Sequence, residues 1–188
     1  MKMKLRETKN DLRAKTRRAM IDLLNQELAD VLDLGLQAKQ AHWNVKGPNF
    51  IGLHELFDKV AEELEELTDN MAERAVELGG VALGTIQIIS KKSRLSSYPL
   101  DLASGQKHVA ALSSALANCG ASSRRAIDTA SKAGDADTAD LFTRFRVALT
   151  SCSGSSKRMR KQSTEPLEQH RVTKPARPRG SFVLLGHR

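Results

Sequence analysis

Two histidines and three carboxylates are the residues of this sequence best suited to metal chemistry. His42 ends one predicted helix and His54 lies near the start of the next, so an antiparallel hairpin brings both close to its turn. His54 and Asp58 are four residues apart, as are Asp69 and Glu73, which places each pair on one helix face. At 100° per residue, these four positions fall within an arc of about 100° on the second helix.

The two pairs are too far apart on one helix to bind the same ion. Eleven residues separate Asp58 from Asp69, which is roughly 16 Å along the helix axis, whereas metal ligands lie within about 2–2.6 Å of the ion. A two-fold axis across the middle of the helix would place Asp69 and Glu73 of a second copy opposite His42, His54 and Asp58. The same operation would build a second, identical site. Nitrogen and oxygen ligands without a thiolate suit Fe(II) or Mn(II), with Zn(II) as a competitor.

From spacing alone, a structural interpretation of these residues stays open. The second helix carries the run EELEEL, and carboxylates on an acidic helix usually form a solvated face. Histidines beside a helix turn are more often structural than metal ligands. By default Trp43 is a core or interface aromatic residue, and His108, which stands alone, is expected to be an exposed helix residue.

The spacing of apolar residues predicts the helices that must position these side chains. Apolar residues recur every three or four positions over two long segments and again later in the chain. We predict helices over residues 12–43, 49–78 and 104–132, a long connection over 81–100, and a fourth helix from about 135 that loses its pattern after 143. An all-α bundle of four helices with one long crossover is the architecture of ferritin-like folds. The fourth helix is expected to be truncated, and residues from about 150 to 188 to be disordered.

The charge of the 188-residue chain is unevenly distributed. The net charge of +8 divides into +6 over residues 1–20, −7 over 21–143 and +9 over 144–188. An acidic body therefore lies between two basic ends, and any nucleic-acid binding is assigned to the ends. We divide the chain into a basic arm (1–11), a helical bundle (12–143) and a basic tail (144–188).

Composition also indicates where the protein works. No apolar run approaches the roughly 20 residues of a membrane span, and no apolar stretch typical of a secretory signal follows the basic start. The two cysteines, Cys119 and Cys152, show no pairing pattern. A reducing cytoplasm without membrane contact is therefore expected.

The runs QAHWNVKGPNFIGLHELFD and DNMAERAVELGGVALGT closely resemble the Dps family, the DNA-binding proteins from starved cells. The resemblance covers about residues 8–143 and includes later segments at 97–101 and 135–140. It implies a ferritin-like subunit of a hollow dodecamer that oxidises Fe(II), commonly with hydrogen peroxide, and stores the ferric mineral. Iron sites of this family lie at two-fold interfaces. Their ligands here would be His42, His54 and Asp58 of one subunit with Asp69 and Glu73 of its neighbour.

The resemblance implies further roles for individual residues. Asp58 and Glu73 would stabilise Fe(III) over Fe(II), and Trp43 would relay electrons or radicals, although interface packing explains Trp43 equally well. Negative pores at three-fold axes would form near Asp135, Asp137 and Asp140. A basic arm would bind DNA non-specifically at the nucleoid through Lys2, Lys4, Arg6 and Lys9, unless it is only a solvated terminus. The alternative function is a structural nucleoid-packing protein whose iron site is idle.

After Thr143 the sequence departs from the family. Members usually continue with a pattern such as EVSRGIDKxLWFLEAH, where this chain has RFRVALTSCSGSSKRMR. A choice of codons for this run, read one base earlier, spells V-S-R-G-I-D-K-L-L-W-F-L-E-A-H-A. We infer that residues 144–188 are translated from a shifted frame, through a mutation or a sequencing error. Because several large apolar residues worth about 1.5–3 kcal/mol each are lost, we expect a product that assembles poorly.

Overall fold

Four long helices and one short helix make up the described part of the chain. The computed structural model describes the backbone of residues 4–162 and the side chains of residues 4–152. The helices are α1 (Ala14–Asn44), α2 (Phe50–Glu77), α3 (Ile86–Lys92), α4 (Gly105–Ala133) and α5 (Ala136–Gln162). Within residues 4–162 there is no strand, so the predicted all-α fold is confirmed. None of these helices is both long enough and apolar enough to cross a membrane.

The bundle is built from two helical hairpins. α1 packs along α2, and α4 packs along α5, with α1 against α4 and α2 against α5 joining the two hairpins. Phe57, Phe142 and Phe145 are fully buried between the helices. α3 lies in the long connection from α2 to α4, which we call the crossover. The crossover joins the first hairpin to the second.

α5 continues well past the residue where we expected the fourth helix to end. Its buried side chains recur every three or four residues beyond position 143, through Phe145, Leu149 and Cys152. Arg144 does not interrupt this stripe because it points outward and pairs with Asp140 at 3.2 Å. α5 is therefore not truncated at residue 143, contrary to our expectation. The disorder predicted from about residue 150 is wrong for residues 150–162, which belong to α5, while residues 163–188 lie outside the described residues.

A cluster of hydrogen bonds and ion pairs around Arg94 holds the crossover against the bundle. The guanidinium of Arg94 donates to Glu27 Oε1 at 2.7 Å and to Ser122 Oγ at 2.6 Å, and it also pairs with Asp30. Glu27 and Asp30 are buried on α1, and Ser122 is buried on α4. Two buried carboxylates need such a partner because an uncompensated charge in the core is strongly destabilising. The segment around Arg94 is thereby held along α1.

Asp135 has a structural role in the turn that precedes α5. The Asp135 carboxylate accepts hydrogen bonds from Thr138 N at 3.0 Å and from Thr138 Oγ1 at 2.6 Å, as expected of a helix N-cap. The Arg74 guanidinium also donates to it at 2.9 Å. Asp135 is only 2% exposed, so its carboxylate belongs to the buried turn, and a pore near the start of α5 stays a prediction. Asp137 and Asp140 are exposed and remain candidates for lining it.

Candidate metal centre

His42 and His54 form a stacked pair at the turn between α1 and α2. Their ring centroids are 3.7 Å apart with 25° between the ring planes. Nδ1 of His42 lies 2.9 Å from the backbone oxygen of His54, and Nδ1 of His54 lies 2.9 Å from the backbone oxygen of His42. The close approach predicted for the two histidines is therefore observed within one chain.

This reciprocal arrangement determines which ring nitrogen is available to a metal. A carbonyl oxygen only accepts hydrogen bonds, so Nδ1 of each ring carries the proton and donates it. In the neutral imidazole the lone pair then resides on Nε2, the atom that a metal ion would bind. Both histidines thus have the tautomer and the backbone anchor typical of metal-ligating histidines.

Asp58 lies beside the histidine pair and is engaged by Lys39. The Lys39 ammonium donates to Asp58 Oδ1, and Nδ1 of His42 is 3.9 Å from the same oxygen. The hydrogen bond from Lys39 lowers the pKa of Asp58, and the nearby histidines add to the shift, so Asp58 is ionised at neutral pH. Lys39 is not among the residues predicted from the sequence, although its position three residues before His42 places it on the same face of α1.

Asp69 and Glu73 lie further along α2, where their side chains are exposed to solvent. Along the helix axis they are roughly 16 Å or more from Asp58, as the spacing predicts. Among the residues that the structure describes, no group of three or more His, Cys, Asp or Glu side chains is placed to hold a metal ion. Within a single chain the predicted ligands therefore form two separate groups.

Exposed apolar side chains occur close in sequence to both histidines. Trp43 is 66% exposed and Ile51 is 63% exposed, while the Phe50 ring lies 5.0 Å from the His54 ring. Large exposed apolar side chains are common at protein–protein interfaces. The surface formed by Trp43, Phe50 and Ile51 is therefore suited to contact with a second copy.

The basic arm is only partly described, and the described part lies against the bundle. Lys2 lies outside the described residues, whereas Lys4, Arg6 and Lys9 are exposed. The Arg6 backbone N–H donates to the Gly79 carbonyl at 2.8 Å, and Thr8 Oγ1 donates to the Glu77 carbonyl at 3.2 Å.

Gly79 makes the contact with the arm possible. Its φ is +86°, and a Cβ atom there would lie 2.6 Å from the Arg6 carbonyl oxygen. The arm forms one wall of a cleft of about 590 Å³, in which Arg6 and Lys9 are joined by Arg17 and Arg18 of α1. The basic surface is thus wider than the four residues that we identified from the sequence.

His108 differs from our expectation, because it is 3% exposed rather than solvated. It lies one turn into α4 on the face that packs inward, and Tyr98 from the crossover forms a hydrogen bond to its Nδ1. The ten-residue spacing between Tyr98 and His108 spans a non-helical connection, so no helical periodicity could have paired them.

Comparison with known proteins agrees with this architecture. Residues 21–149 match the family model of the ferritin-like domain, which places the chain among the ferritin-like proteins. The chain is 45% identical over 141 residues to the DNA protection during starvation protein of Agrobacterium fabrum, covering 75% of this chain and 87% of that protein.

Solved structures give the same result. The chain superimposes on Dps from Mycobacterium smegmatis with a TM-score of 0.78 and 30% identity, covering 85% of this chain and 94% of that one. DpsC from Streptomyces coelicolor gives a TM-score of 0.79 with 27% identity, covering 82% and 91% of the two chains. The chain belongs to the Dps family.

Replacing Lys39 is expected to strengthen metal binding at this centre. In Lys39→Gln the ammonium that competes with a metal ion for Asp58 is absent, so we expect Zn(II) to bind up to about fivefold more tightly. Calorimetric titration with Zn(II), which is redox-inert, measures the change. Lys59→Gln is the matched control because Lys59 also pairs with an α2 carboxylate, Glu63, but away from the histidines. Unchanged or weaker binding in Lys39→Gln would show that Asp58 is not a ligand.

Proposed function

We propose that this protein oxidises Fe(II) with hydrogen peroxide at sites shared between two subunits, and stores the ferric product inside a hollow dodecamer. Each site takes His42, His54 and Asp58 from one subunit and Asp69 and Glu73 from its neighbour. The assembly binds DNA non-specifically at the nucleoid. There it consumes Fe(II) and hydrogen peroxide, the two reagents that form hydroxyl radical. The family membership and the geometry of the histidine pair support this proposal.

The observation that carries the proposal is the tautomer of the two histidines. Their Nδ1 protons are donated to backbone oxygens, so two Nε2 lone pairs are available beside the ionised Asp58. The acidic pair Asp69 and Glu73 lies exposed on the same helix, where a two-fold axis brings it to the histidines of a neighbour. Two imidazoles and three carboxylates form a donor set suited to Fe(II) as a substrate.

The side chains of the site have distinct roles in the oxidation. The carboxylates of Asp58 and Glu73 favour the higher charge of Fe(III), which lowers the barrier to removal of an electron from Fe(II). Coordination positions not filled by protein admit peroxide. Hydrogen peroxide accepts two electrons, so two Fe(II) ions and two protons yield two Fe(III) ions and two water molecules. Trp43, next to a ligand and at the surface, relays an electron when only one Fe(II) is available.

Assembly supplies the ligands of the second subunit to each site and encloses the ferric product inside the dodecamer. The exposed surface of Trp43, Phe50 and Ile51 would be covered by the neighbour that donates Asp69 and Glu73. Asp137 and Asp140, both exposed at the start of α5, supply the negative charge that attracts Fe(II) to an entrance at the three-fold axes.

Removal of one histidine is expected to abolish most of the oxidation. In anaerobic stopped-flow mixing of the protein with Fe(II) and peroxide, the wild type consumes about two Fe(II) per peroxide, and His54→Ala is slower by about 10–100-fold. Glu66→Ala, which removes an exposed carboxylate of α2 outside the predicted ligand set, is the control and keeps the wild-type rate. Equal rates for His54→Ala and Glu66→Ala would exclude the histidine pair as the site of oxidation.

DNA binding is expected to depend on the charge of the arm. Changing Lys2, Lys4, Arg6 and Lys9 together to Gln preserves the contact between Thr8 and Glu77 but removes four positive charges from each subunit. Because twelve copies multiply weak phosphate contacts, we expect the gel shift at low salt to disappear while Fe(II) oxidation is retained. If the shift persists until residues 144–188 are deleted, the basic tail is the DNA-binding element. DNA compaction by a wild type without Fe(II) oxidation would instead support the structural nucleoid-packing function.

A further inference from the structure

A groove lined by three arginines lies between α4 and α5. Its volume is about 480 Å³, and it opens to solvent. Arg124 and Arg125 of α4 and Arg146 of α5 line it, whereas no aspartate or glutamate of the described residues does. The groove shares no residue with the histidine pair, with the acidic pair of α2 or with the basic arm, and none of the functions proposed above uses it.

Helical spacing builds the α4 wall of this groove. Ala117, Gly120 and Ala121 precede Arg124 by seven, four and three residues, so all four lie on one face of α4. The small side chains leave room in front of this face. A Cβ atom on Gly120 would meet no atom from outside its own stretch of helix within 4 Å, so the space there is open. The wall therefore combines a recess with a guanidinium group at its end.

The α5 wall and an apolar floor complete the groove. Arg146 and Thr150 lie about one helical turn apart on α5 and form the wall opposite α4. Leu116 is 1% exposed and Leu149 is 2% exposed, so the floor is apolar and belongs to the packed core. Because residues 146 and 150 follow the point where the chain departs from the family pattern, the family resemblance does not predict this wall.

The three guanidinium groups of the groove have no partner of opposite charge among the described side chains. Within residues 4–152, none of them donates a hydrogen bond or forms an ion pair. By contrast, Arg74 is paired with the buried Asp135, and Arg94 is paired with the buried Glu27. Positive charges around one groove repel each other, and an anion bound between them removes that repulsion. The groove is therefore suited to a ligand that carries several negative charges.

We propose that this groove binds a nucleoside triphosphate. Guanidinium groups bind phosphate oxygens in pairs and also stack on planar rings, so the arginines suit both the phosphate chain and the base. The alanine and leucine side chains of the groove offer apolar contact to a base, which inorganic phosphate would leave unused. A volume of about 480 Å³ lies within the range of about 300–1,000 Å³ that is typical of small-ligand sites. The proposal does not depend on Fe(II) oxidation.

Removal of single charges tests the role of the arginines. Fluorescence anisotropy of ATP labelled on its ribose with a methylanthraniloyl group measures binding to the full-length protein. We expect saturable binding by the wild type and about tenfold weaker binding by Arg125→Gln and by Arg146→Gln. Arg144→Gln is the matched control, because it removes an exposed arginine of α5 that does not line the groove. Equal affinities of Arg146→Gln and Arg144→Gln, or no binding by the wild type, would overturn the proposal.

A second pair of variants fills the groove without changing its charge. Gly120→Leu places a side chain in the open space of the α4 wall, so we expect the labelled ATP to bind about tenfold more weakly. Gly120→Ala adds only a Cβ atom and is expected to keep the wild-type affinity within about twofold. Both substitutions favour the helix over glycine, and circular dichroism confirms that the fold is retained. Wild-type affinity in Gly120→Leu would show that the nucleotide binds elsewhere.

Competition against the labelled ATP identifies the class of ligand. Inorganic tripolyphosphate carries the phosphate chain without a base, and a short oligothymidylate carries bases on a phosphodiester chain. We expect unlabelled ATP to displace the probe at a concentration about tenfold lower than tripolyphosphate does, because only ATP uses the apolar lining. Equal potency of tripolyphosphate would show that the groove binds charge alone. Stronger displacement by oligothymidylate, compared per nucleotide, would assign the groove to single-stranded nucleic acid, and either result would overturn the proposal.

Discussion

A mixture of two inactive variants is expected to recover Fe(II) oxidation. His54→Ala removes a ligand from one half of the site, and Asp69→Ala removes a ligand from the other half. In a dimer of one His54→Ala subunit and one Asp69→Ala subunit, one of the two sites combines the intact halves. With random pairing, half of the dimers are mixed, so about a quarter of all sites are complete. Stopped-flow oxidation after co-refolding measures the recovered fraction.

The control uses two variants from the same half of the site. His54→Ala mixed with Asp58→Ala yields no complete site in any pairing, because each subunit lacks a ligand that it alone supplies. Recovery in this control, or no recovery with Asp69→Ala, would show that the two halves do not come from different subunits.

Truncation of Phe145 is expected to destabilise the protein severely. This side chain is fully buried and continues the apolar stripe of α5 beyond residue 143. Removing a buried phenyl ring leaves a cavity and costs about 3–5 kcal/mol, a large part of the 5–15 kcal/mol that stabilises a typical domain. Urea denaturation followed by circular dichroism gives the free energy of unfolding of Phe145→Ala.

Arg144→Ala is the matched control for this measurement. Arg144 is the preceding residue, is exposed and forms only a surface ion pair with Asp140, so its loss is expected to change stability by no more than about 1 kcal/mol. Similar stabilities for Phe145→Ala and Arg144→Ala would mean that α5 does not pack beyond residue 143. That outcome would restore the truncated helix that the sequence led us to expect.

We propose that the tail from residue 144 is a product of a shifted reading frame. The match to the ferritin-like domain ends at residue 149, near the point where the chain departs from the family pattern. Within that tail, Phe145, Leu149 and Cys152 are buried, and the Cys152 thiol donates to Glu63 on α2 at 2.9 Å. Sequencing the gene across codons 140–165 and comparing the assembly of both versions by light scattering test the proposal.

The helices could be predicted where one periodic stripe runs without interruption. The bounds of α1 and α2 lie within two residues of those expected from apolar spacing. The length of α5 was underestimated because the apolar pattern was expected to end at residue 143, although residues 142, 145 and 149 keep helical spacing around Arg144 and Arg146. Outward-facing arginines do not weaken a helix whose inner face stays apolar.

The site could be predicted as far as local geometry determines it. The hairpin turn brings His42 and His54 together, and helical spacing adds Asp58 to the same face. Lys39 was missed because its contact with Asp58 joins two helices. The burial of Asp135 and of His108 was missed for the same physical reason, since their partners Arg74 and Tyr98 lie in other elements of the fold.

The location of bound iron is the most direct test of the shared site. Crystals of the assembled protein, soaked anaerobically in Fe(II) and measured on both sides of the iron absorption edge, reveal the metal by anomalous scattering. We predict a peak at the interface of two subunits, within about 2–2.6 Å of His42 Nε2, His54 Nε2 and Asp58 of one subunit and of Asp69 or Glu73 of the other. A peak confined to residues of one subunit, or no peak beside the histidine pair, would contradict it.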